Sequence, residues 1–289
     1  MTSFQYEIQP GDIVSVLDCG NFLEVTCCEI RNQRNYIKRL SKDYYLDLRD
    51  DTGEVKEFNH TDCRLENVDS IRRSLKLARD RINTNCTDSS CIKWVTLTYA
   101  ENMTDTERLY KDFKLFVRKT RREYGHFEYI VACEPQERGA WHMHVIMLFE
   151  GKAPYMANRD VFQLWGQGFV DVQNVKNVDN LGAYLSAYLA DIPVPEGYEE
   201  NLNPGQVVTK LVDGVPKRFV KGARLDKYPS GMQIFRYSHG LKQPQEFEIR
   251  YHEFLENFDC KLTYERSYNL VNDEKGSCFS IKKEFYKKV

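Results

Sequence analysis

Alternating and β-branched apolar runs in the middle of the chain predict strands, and runs with a helical apolar period lie between them. The strands are predicted at 91–100, 127–134, 140–150 and 169–175. The helices are predicted from the capping box at 104–107 to Gly125, from Asn158 to Trp165, and over about 179–190. The order β-α-β-β-α-β-α matches a split βαβ, ferredoxin-like arrangement. We therefore predict an α+β fold, in which an antiparallel sheet carries helices on one face.

The two ends of the chain carry further strand patterns. We predict a small strand-rich N-terminal addition, a core, and a basic hairpin segment with a C-terminal tail that completes the same domain, over 1–65, 66–192 and 193–289. A helical period at 67–83 opens the core. A hairpin is predicted around Asp213-Gly214, and a short helix near 251–257 precedes two final strands.

The composition is that of an ordinary globular protein, with 42% apolar and 29% charged residues. No run approaches the roughly 20 apolar residues that a membrane helix needs, so no membrane association is expected. The nine cysteines include no C-x-x-C pair. This pattern favours reduced thiols in a cytoplasmic protein over disulfides or a zinc site.

Basic residues are unevenly distributed, although the net charge is only −2. From Lys210 to Lys242 the chain has eight Lys and Arg residues against two Asp residues, a local excess sufficient to bind phosphates. A second basic cluster at 118–122 also fits cations that compensate the dipole at a helix end. The candidate nucleic-acid-binding residues from the longer segment are Lys217, Arg218, Lys221, Arg224, Lys227 and Arg236.

His142 and His144 lie two residues apart in a predicted strand, so their imidazoles project from the same face. If this strand pairs with the preceding one around the intervening turn, Glu134 lies nearly opposite His142. Two imidazoles and a carboxylate leave open positions on a divalent cation, and they suit Mn²⁺ or Mg²⁺. The alternatives are hydrogen-bonded histidines with Glu134 as a cross-strand ion-pair partner, or Glu137 as the carboxylate ligand.

Tyr184 and Tyr188 lie one helical turn apart in the last predicted helix of the core, on the side that also carries Leu181 and Leu185. This spacing alone favours a packed core stripe. Beside a metal site it has a second meaning, because a bound cation compensates for the weak nucleophilicity of a phenol with a pKa of about 10. The pair is therefore a candidate for phosphoryl transfer through a phosphotyrosine.

These motifs resemble those of the HUH endonucleases, and within them the two-tyrosine rolling-circle replication initiators of bacterial plasmids and small phages. The three motifs are a Thr- and Leu-rich strand, a His-hydrophobic-His pair and a Tyr-x-x-x-Tyr pair, found here at 94–99, 142–144 and 184–188. The resemblance covers about 90–192. The segment 221–244 is also similar to a downstream segment of plasmid initiators.

The resemblance implies an enzyme that nicks and rejoins single-stranded or hairpin origin DNA. Glu134, His142 and His144 would hold the cation, and a tyrosine would form a 5′-phosphotyrosine, with Tyr184 favoured over Tyr188 by its motif position. A host polymerase would extend the free 3′ end. Because the chain has no G-x-x-x-x-G-K-[ST] signature, a host helicase would be a second partner.

Several interpretations stay open beside this one. Many relatives have a lysine three residues after the first tyrosine, where this chain has Ala187. A transposase or relaxase with the same chemistry, a non-catalytic DNA-binding repressor and a structural metal domain are the alternative functions. Trp141, Trp165 and Tyr228 are candidates for stacking on bases, with core packing as the alternative for each.

Overall fold

The computed structural model describes most of the chain. The described residues are 6–29, 37–41, 43–47, 53–57, 68–136, 138–176, 181, 192–193, 207–212, 215–220, 227–229, 231–272 and 277–289. The chain divides into two compact units, one built from 1–60 with 244–289 and the other from 61–243.

Both units are rich in strands. The strands, in chain order, are β1 (Ile13–Cys19), β2 (Phe22–Cys28), β3 (Ile37–Arg39), β4 (Tyr44–Asp47), β5 (Val55–Glu57), β6 (Ile92–Thr98), β7 (Phe127–Pro135), β8 (Trp141–Phe149), β9 (Val170–Asn174), β10 (Ile192–Pro193), β11 (Val207–Val212), β12 (Val215–Val220), β13 (Phe235–Tyr237), β14 (Gln245–Arg250), β15 (Cys260–Asn272) and β16 (Ser277–Lys288). The helices are α1 (Val68–Asn85), α2 (Thr106–Tyr124), α3 (Asn158–Trp165) and α4 (Tyr251–Asn257).

The unit formed by 61–243 is built on a sheet of order β13-β7-β8-β6-β9, in which neighbouring strands run antiparallel. Strands β6 and β7 are consequently parallel to each other, with β8 between them, and α2 connects them. This arrangement is the split βαβ topology that the element order predicts, and it confirms the α+β class.

Helices α2 and α3 lie on one face of this sheet, as predicted. Phe113 of α2 meets Tyr129 of β7 edge to face, with ring centroids 5.1 Å apart. Phe116, one turn further along α2, meets Trp165 of α3 at 5.8 Å. These aromatic contacts join the two helices to one buried apolar core.

Helix α1, which precedes the split βαβ segment, contacts the opposite face. The guanidinium of Arg81 lies 4.1 Å from the ring centroid of Tyr237 in β13. Tyr237 pairs with Ile130 of β7, and Ile130 projects from the face opposite to Tyr129 because successive strand residues alternate. The apolar period of α1 predicts a helix with one buried stripe, but it carries no information about which side of the sheet that stripe covers.

The ends of α2 show how local sequence fixes this helix. Asp105, rather than Thr104 of the predicted capping box, is the N-cap, and its carboxylate accepts from the backbone N–H groups of Glu107 and Arg108. A carboxylate oxygen can satisfy two of the unpaired amides of the first turn at once. Gly125 ends the helix with φ of 88°, as its lack of a side chain permits.

The other unit joins the two ends of the chain in a sheet of order β14-β1-β2-β16-β15. Strand β1 pairs with β14 from Ile13 opposite Arg250, and Phe254 of α4 is fully buried in this unit's own core. The sequence-based division expects 193–289 to complete the core domain, whereas 244–289 pairs here with the N-terminal strands. Local patterns predict the strands themselves, but pairing between distant segments is set by tertiary contacts.

Two small sheets complete the described strands, with orders β3-β4-β5 and β10-β12-β11. The first lies within the predicted strand-rich N-terminal addition. In the second, Val212 pairs with Val215, which confirms the predicted hairpin, although its turn residues Asp213 and Gly214 lie outside the described residues.

The described cysteines are free thiols, and several of them are buried. Within the described part of the chain, no helix combines the length and apolar character that crossing a membrane requires.

Candidate metal centre

Strands β7 and β8 bring together the three residues predicted to hold a metal. The backbone of the connecting turn is closed by a hydrogen bond from Gln136 N to Ala140 O. This turn sets a register in which Glu134 lies directly opposite His142. His144, two residues along β8, projects from the same face. Glu137, the competing carboxylate, lies outside the described residues.

The ligand atoms of the three side chains converge on one point. Oε2 of Glu134 lies 3.2 Å from Nε2 of His142 and 3.3 Å from Nε2 of His144, and the two Nε2 atoms are 3.1 Å apart. Atoms bonded to one cation at about 2.1 Å are about 3.0 Å apart at right angles and about 3.4 Å apart in a tetrahedron. All three separations fall within this range, so the residues fit a single divalent cation.

Burial keeps both imidazoles in the form that binds metal. Glu134 is 2% exposed and His142 is 9% exposed. Burial lowers the pKa of His142 from 6.5 to about 4, and burial together with the adjacent His142 lowers the pKa of His144 to about 3. Both rings are therefore neutral at pH 7, and binding a cation requires no loss of a proton from them.

A second layer of contacts orients one ring more firmly than the other. Nδ1 of His144 lies 3.2 Å from Oγ1 of Thr96, its cross-strand neighbour on β6, and the ring also meets Trp94 with centroids 5.6 Å apart. Nδ1 of His142 is buried without a hydrogen-bond partner among the described residues. The sequence motif includes Thr96 but assigns it no role. Its signal is the polar position at every second residue of β6, with Thr96 and Thr98 on one face.

The predicted nucleophiles cannot be placed relative to this centre. Tyr184 and Tyr188 lie outside the described residues, as does Ala187. Leu181, predicted to share their side of the helix, is helical and 6% exposed in the main core. The choice between a nucleophilic pair and a core stripe therefore stays a prediction.

Residues 92–192 match the family model of the replication-associated protein ORF2. The match spans about a third of the chain and includes all three residues of the candidate metal centre. It supports a role in DNA replication. Searches of curated proteins and of solved structures give no significant match.

The predicted basic residues are only partly described. Lys221 and Arg224 lie outside the described residues, and Lys217 and Arg218 lie in β12, where the backbone alone is described. Lys227 is half-buried. Arg236 lies in the edge strand β13, with its guanidinium 4.0 Å from the ring centroid of Tyr110 in α2.

Arg236 lines a groove of about 810 Å³ between α1, α2 and β13. A second groove of about 750 Å³ continues along α2 and shares Lys111 and Lys114 with the first. No Asp or Glu is found among the described residues that line either groove, although Lys111 pairs with Glu107 at 3.6 Å nearby. The basic side chains that line the two grooves are Arg81, Lys111, Lys114, Arg118, Arg121, Arg122 and Arg236.

The basic cluster at the end of α2 serves both of the purposes considered for it. Arg121 donates to the carbonyl of Phe127, and Lys119 donates to the carbonyl of Leu164. These two cations therefore stabilise the fold. Arg118 is exposed, and with Arg122 it lines the second groove, where both are available to an anion.

The three aromatic residues considered for base stacking belong to the core. Trp141, Trp165 and Tyr228 are 3%, 2% and 1% exposed. Their polar atoms bond to backbone carbonyls: Trp141 to Thr104, Trp165 to Thr98 and Tyr228 to Cys133. None of the three presents a ring face to a base, so the core-packing alternative is correct for each.

Proposed function

We propose that the chain is a metal-dependent DNA endonuclease and strand transferase of the HUH type that initiates rolling-circle replication. One observation carries the proposal. The ligand atoms of Glu134, His142 and His144 converge at 3.1–3.3 Å within the segment that matches a replication-associated family. This centre, the sequence motifs and the basic grooves together support DNA as the substrate.

Glu134, His142 and His144 are proposed to hold Mn²⁺ or Mg²⁺. A bound cation would withdraw charge from the scissile phosphate and stabilise its transition state. The chain's own contribution is to hold three ligands on two paired strands, with both imidazoles already neutral. Because the ligands come from rigid strands rather than loops, little reorganisation is needed when the cation and the phosphate bind.

Tyr184 is the proposed first nucleophile. Its phenolic oxygen loses a proton and bonds to phosphorus, the bond from phosphorus to the 3′ oxygen breaks, and the leaving oxygen takes up a proton. The products are a 5′-phosphotyrosine and a free 3′-OH, and the phosphotyrosine keeps the energy needed for rejoining. Tyr188 is proposed to cut the regenerated origin in a second reaction of the same kind.

Single-stranded or hairpin origin DNA is the proposed substrate, with a host helicase and a host polymerase as partners in the cytoplasm. The described Arg236 supports a phosphate-binding role for the basic segment, because it faces a groove that it shares with Lys111 and Lys114. Lys217, Arg218, Lys221, Arg224 and Lys227 are proposed to extend that surface.

The test uses labelled single-stranded oligonucleotides that tile the replicon carrying the gene. With Mn²⁺, one or more should form a covalent adduct with the protein, and a chelator should abolish it. His142→Ala should remove the adduct. The single and double Phe replacements of Tyr184 and Tyr188, with mass spectrometry of the nucleotide-bearing peptide, identify the attacking residue.

Two outcomes would contradict the proposal. If His142→Ala leaves the yield of adduct unchanged, the metal assignment is wrong. If the protein binds the oligonucleotides in a salt-sensitive manner but never forms an adduct, it is a DNA-binding repressor instead. Adduct formation on the ends of an insertion element rather than on a replication origin would indicate a transposase.

A further inference from the structure

Phe169, just before β9, is a large aromatic residue with 64% of its surface exposed. Leu97 pairs with Val170, so Phe169 lies opposite Thr98 at the next position. The backbone N–H and the hydroxyl of Thr98 both donate to the carbonyl of Phe169, each at 2.9 Å. Phe169 is therefore held firmly at the edge of the sheet by its backbone, while its ring remains in solvent.

The ring lies on the same face of the sheet as the metal centre. Thr98 pairs with His142, and His142 pairs with Glu134, so the three residues and Phe169 form one row across four strands. Directly paired residues project from the same face. Val170, the next residue, projects from the other face and is 3% exposed.

The spacing of the row suits a polynucleotide. Adjacent strands are about 4.8 Å apart, so the backbone at Phe169, two strands from β8, lies about 10 Å from that at His142. A single strand spans that distance with a few nucleotides. A phosphate at the metal centre thus leaves a neighbouring base within reach of the ring.

Gly168 makes this position rigid. A Cβ atom at Gly168 would clash with the backbone nitrogen of Ala100 and would lie 2.5 Å from the carbonyl oxygen of Thr98. Only glycine lets the two chain segments approach so closely, and Ala100 N also donates to the carbonyl of Gln167. A rigid aromatic side chain loses little entropy when a base stacks on it.

We propose that Phe169 is a stacking site for a nucleobase of the single-stranded DNA whose phosphate lies at Glu134, His142 and His144. The identity of this ligand as DNA rests on the proposed function. Stacking on an exposed ring is tolerant of sequence, because every base has a π face. The site therefore fixes the position of the strand relative to the metal centre without selecting the base.

Phe162 provides a matched control. It is also an exposed phenylalanine, at 50%, but it lies on α3, which packs on the opposite face of the sheet. Replacement by alanine removes the same ring at both positions. Thermal unfolding of Phe169→Ala and Phe162→Ala should match that of the unchanged protein, since neither ring is buried.

The first measurement is the affinity for a fluorescent thymidine oligonucleotide, by anisotropy in the presence of a chelator. Phe169→Ala should weaken binding about 5- to 100-fold, as expected for the loss of one stacked base, and Phe169→Trp should restore it. Phe162→Ala should bind within about twofold of the unchanged protein. Equal affinities for Phe169→Ala and Phe162→Ala would overturn the proposal.

The second measurement is photocrosslinking of an oligonucleotide with a single 5-iodouracil, which reacts with stacked aromatic rings. The crosslinked peptide should contain Phe169, and a crosslink confined to other peptides would overturn the proposal. Both measurements omit the metal and need no cleavage. A protein that stacks at Phe169 but forms no tyrosine adduct would refute the proposed chemistry alone, and one that forms the adduct without stacking would refute only this inference.

Discussion

Replacement of Thr96 by valine tests whether the two imidazoles are arranged as metal ligands. Nε2 of His144 faces Glu134, and Nδ1 lies 3.2 Å from Oγ1 of Thr96. When Nε2 binds a cation, the ring proton is on Nδ1 and donates to the threonine hydroxyl. Valine keeps the branched shape of threonine and removes the oxygen, so the ring loses the partner that holds its orientation and raises its basicity.

The structure sets the expected size of the effect. Loss of an outer hydrogen bond to a metal-binding histidine weakens metal affinity about 10- to 100-fold, or about 1.4–2.8 kcal/mol. The side chain of His144 is 19% exposed, so a water molecule can replace the hydroxyl in part. We therefore expect the lower half of this range, about 10- to 30-fold.

Isothermal titration of chelator-treated protein with Mn²⁺ measures this loss directly, without any DNA. The control is Thr98→Val, on the same strand and the same face, where the hydroxyl donates to the carbonyl of Phe169 rather than to a histidine. Thr98→Val should change the affinity less than about threefold. If Thr96→Val and Thr98→Val have the same effect, the argument that Thr96 supports a metal ligand is wrong.

Three further predictions concern pH, packing and charge. Because burial lowers the pKa of the two imidazoles to about 4 and about 3, protons begin to compete with the metal only well below the usual histidine value of 6.5, and the Mn²⁺ affinity should change less than about threefold from pH 7.5 to 5.5. A tenfold loss per pH unit below 6.5 would contradict those low values. Gly168→Ala should lower the free energy of unfolding by about 1–3 kcal/mol in chemical denaturation, whereas Gly151→Ala, with no atom near the added Cβ, should be close to neutral. Lys114→Gln should reduce the salt dependence of DNA binding by about one phosphate contact, and Arg159→Gln, at another exposed cation, should leave it unchanged; equal slopes for both would remove the groove from the DNA-binding surface.

The metal ligands could be predicted from sequence because each rests on a local rule. The spacing of His142 and His144 places both on one face of any strand, and the turn after β7 is short enough to bring Glu134 opposite. The same rules predict the central strands and helices, whose apolar periods are strong. The cap of α2 shifted by one residue to Asp105, because adjacent polar residues compete for the same amides and only the final geometry decides between them.

The burial of Trp141, Trp165 and Tyr228 shows the opposite limit. An aromatic residue beside a motif has the same appearance in sequence whether its ring packs inward or faces a ligand. Trp141 alternates with the two histidines along β8, so strand parity alone places it on the other face. That inference becomes firm only once the strand boundaries are known.

Phe169 could not have been recognised from sequence, and the reason is the order of the strands. It follows His142 by more than a full helix, and nothing in the local pattern says that β6 lies between β8 and β9. That order places Thr98 beside His142 and Phe169 beside Thr98, so the exposed ring and the metal ligands share a row. Local periodicity determines which residues share a face of one strand, but sheet order determines which strands contribute to a site. The central β6 thus contributes twice, because Thr96 supports His144 while Thr98 fixes the backbone of Phe169, and the two valine variants separate these contributions.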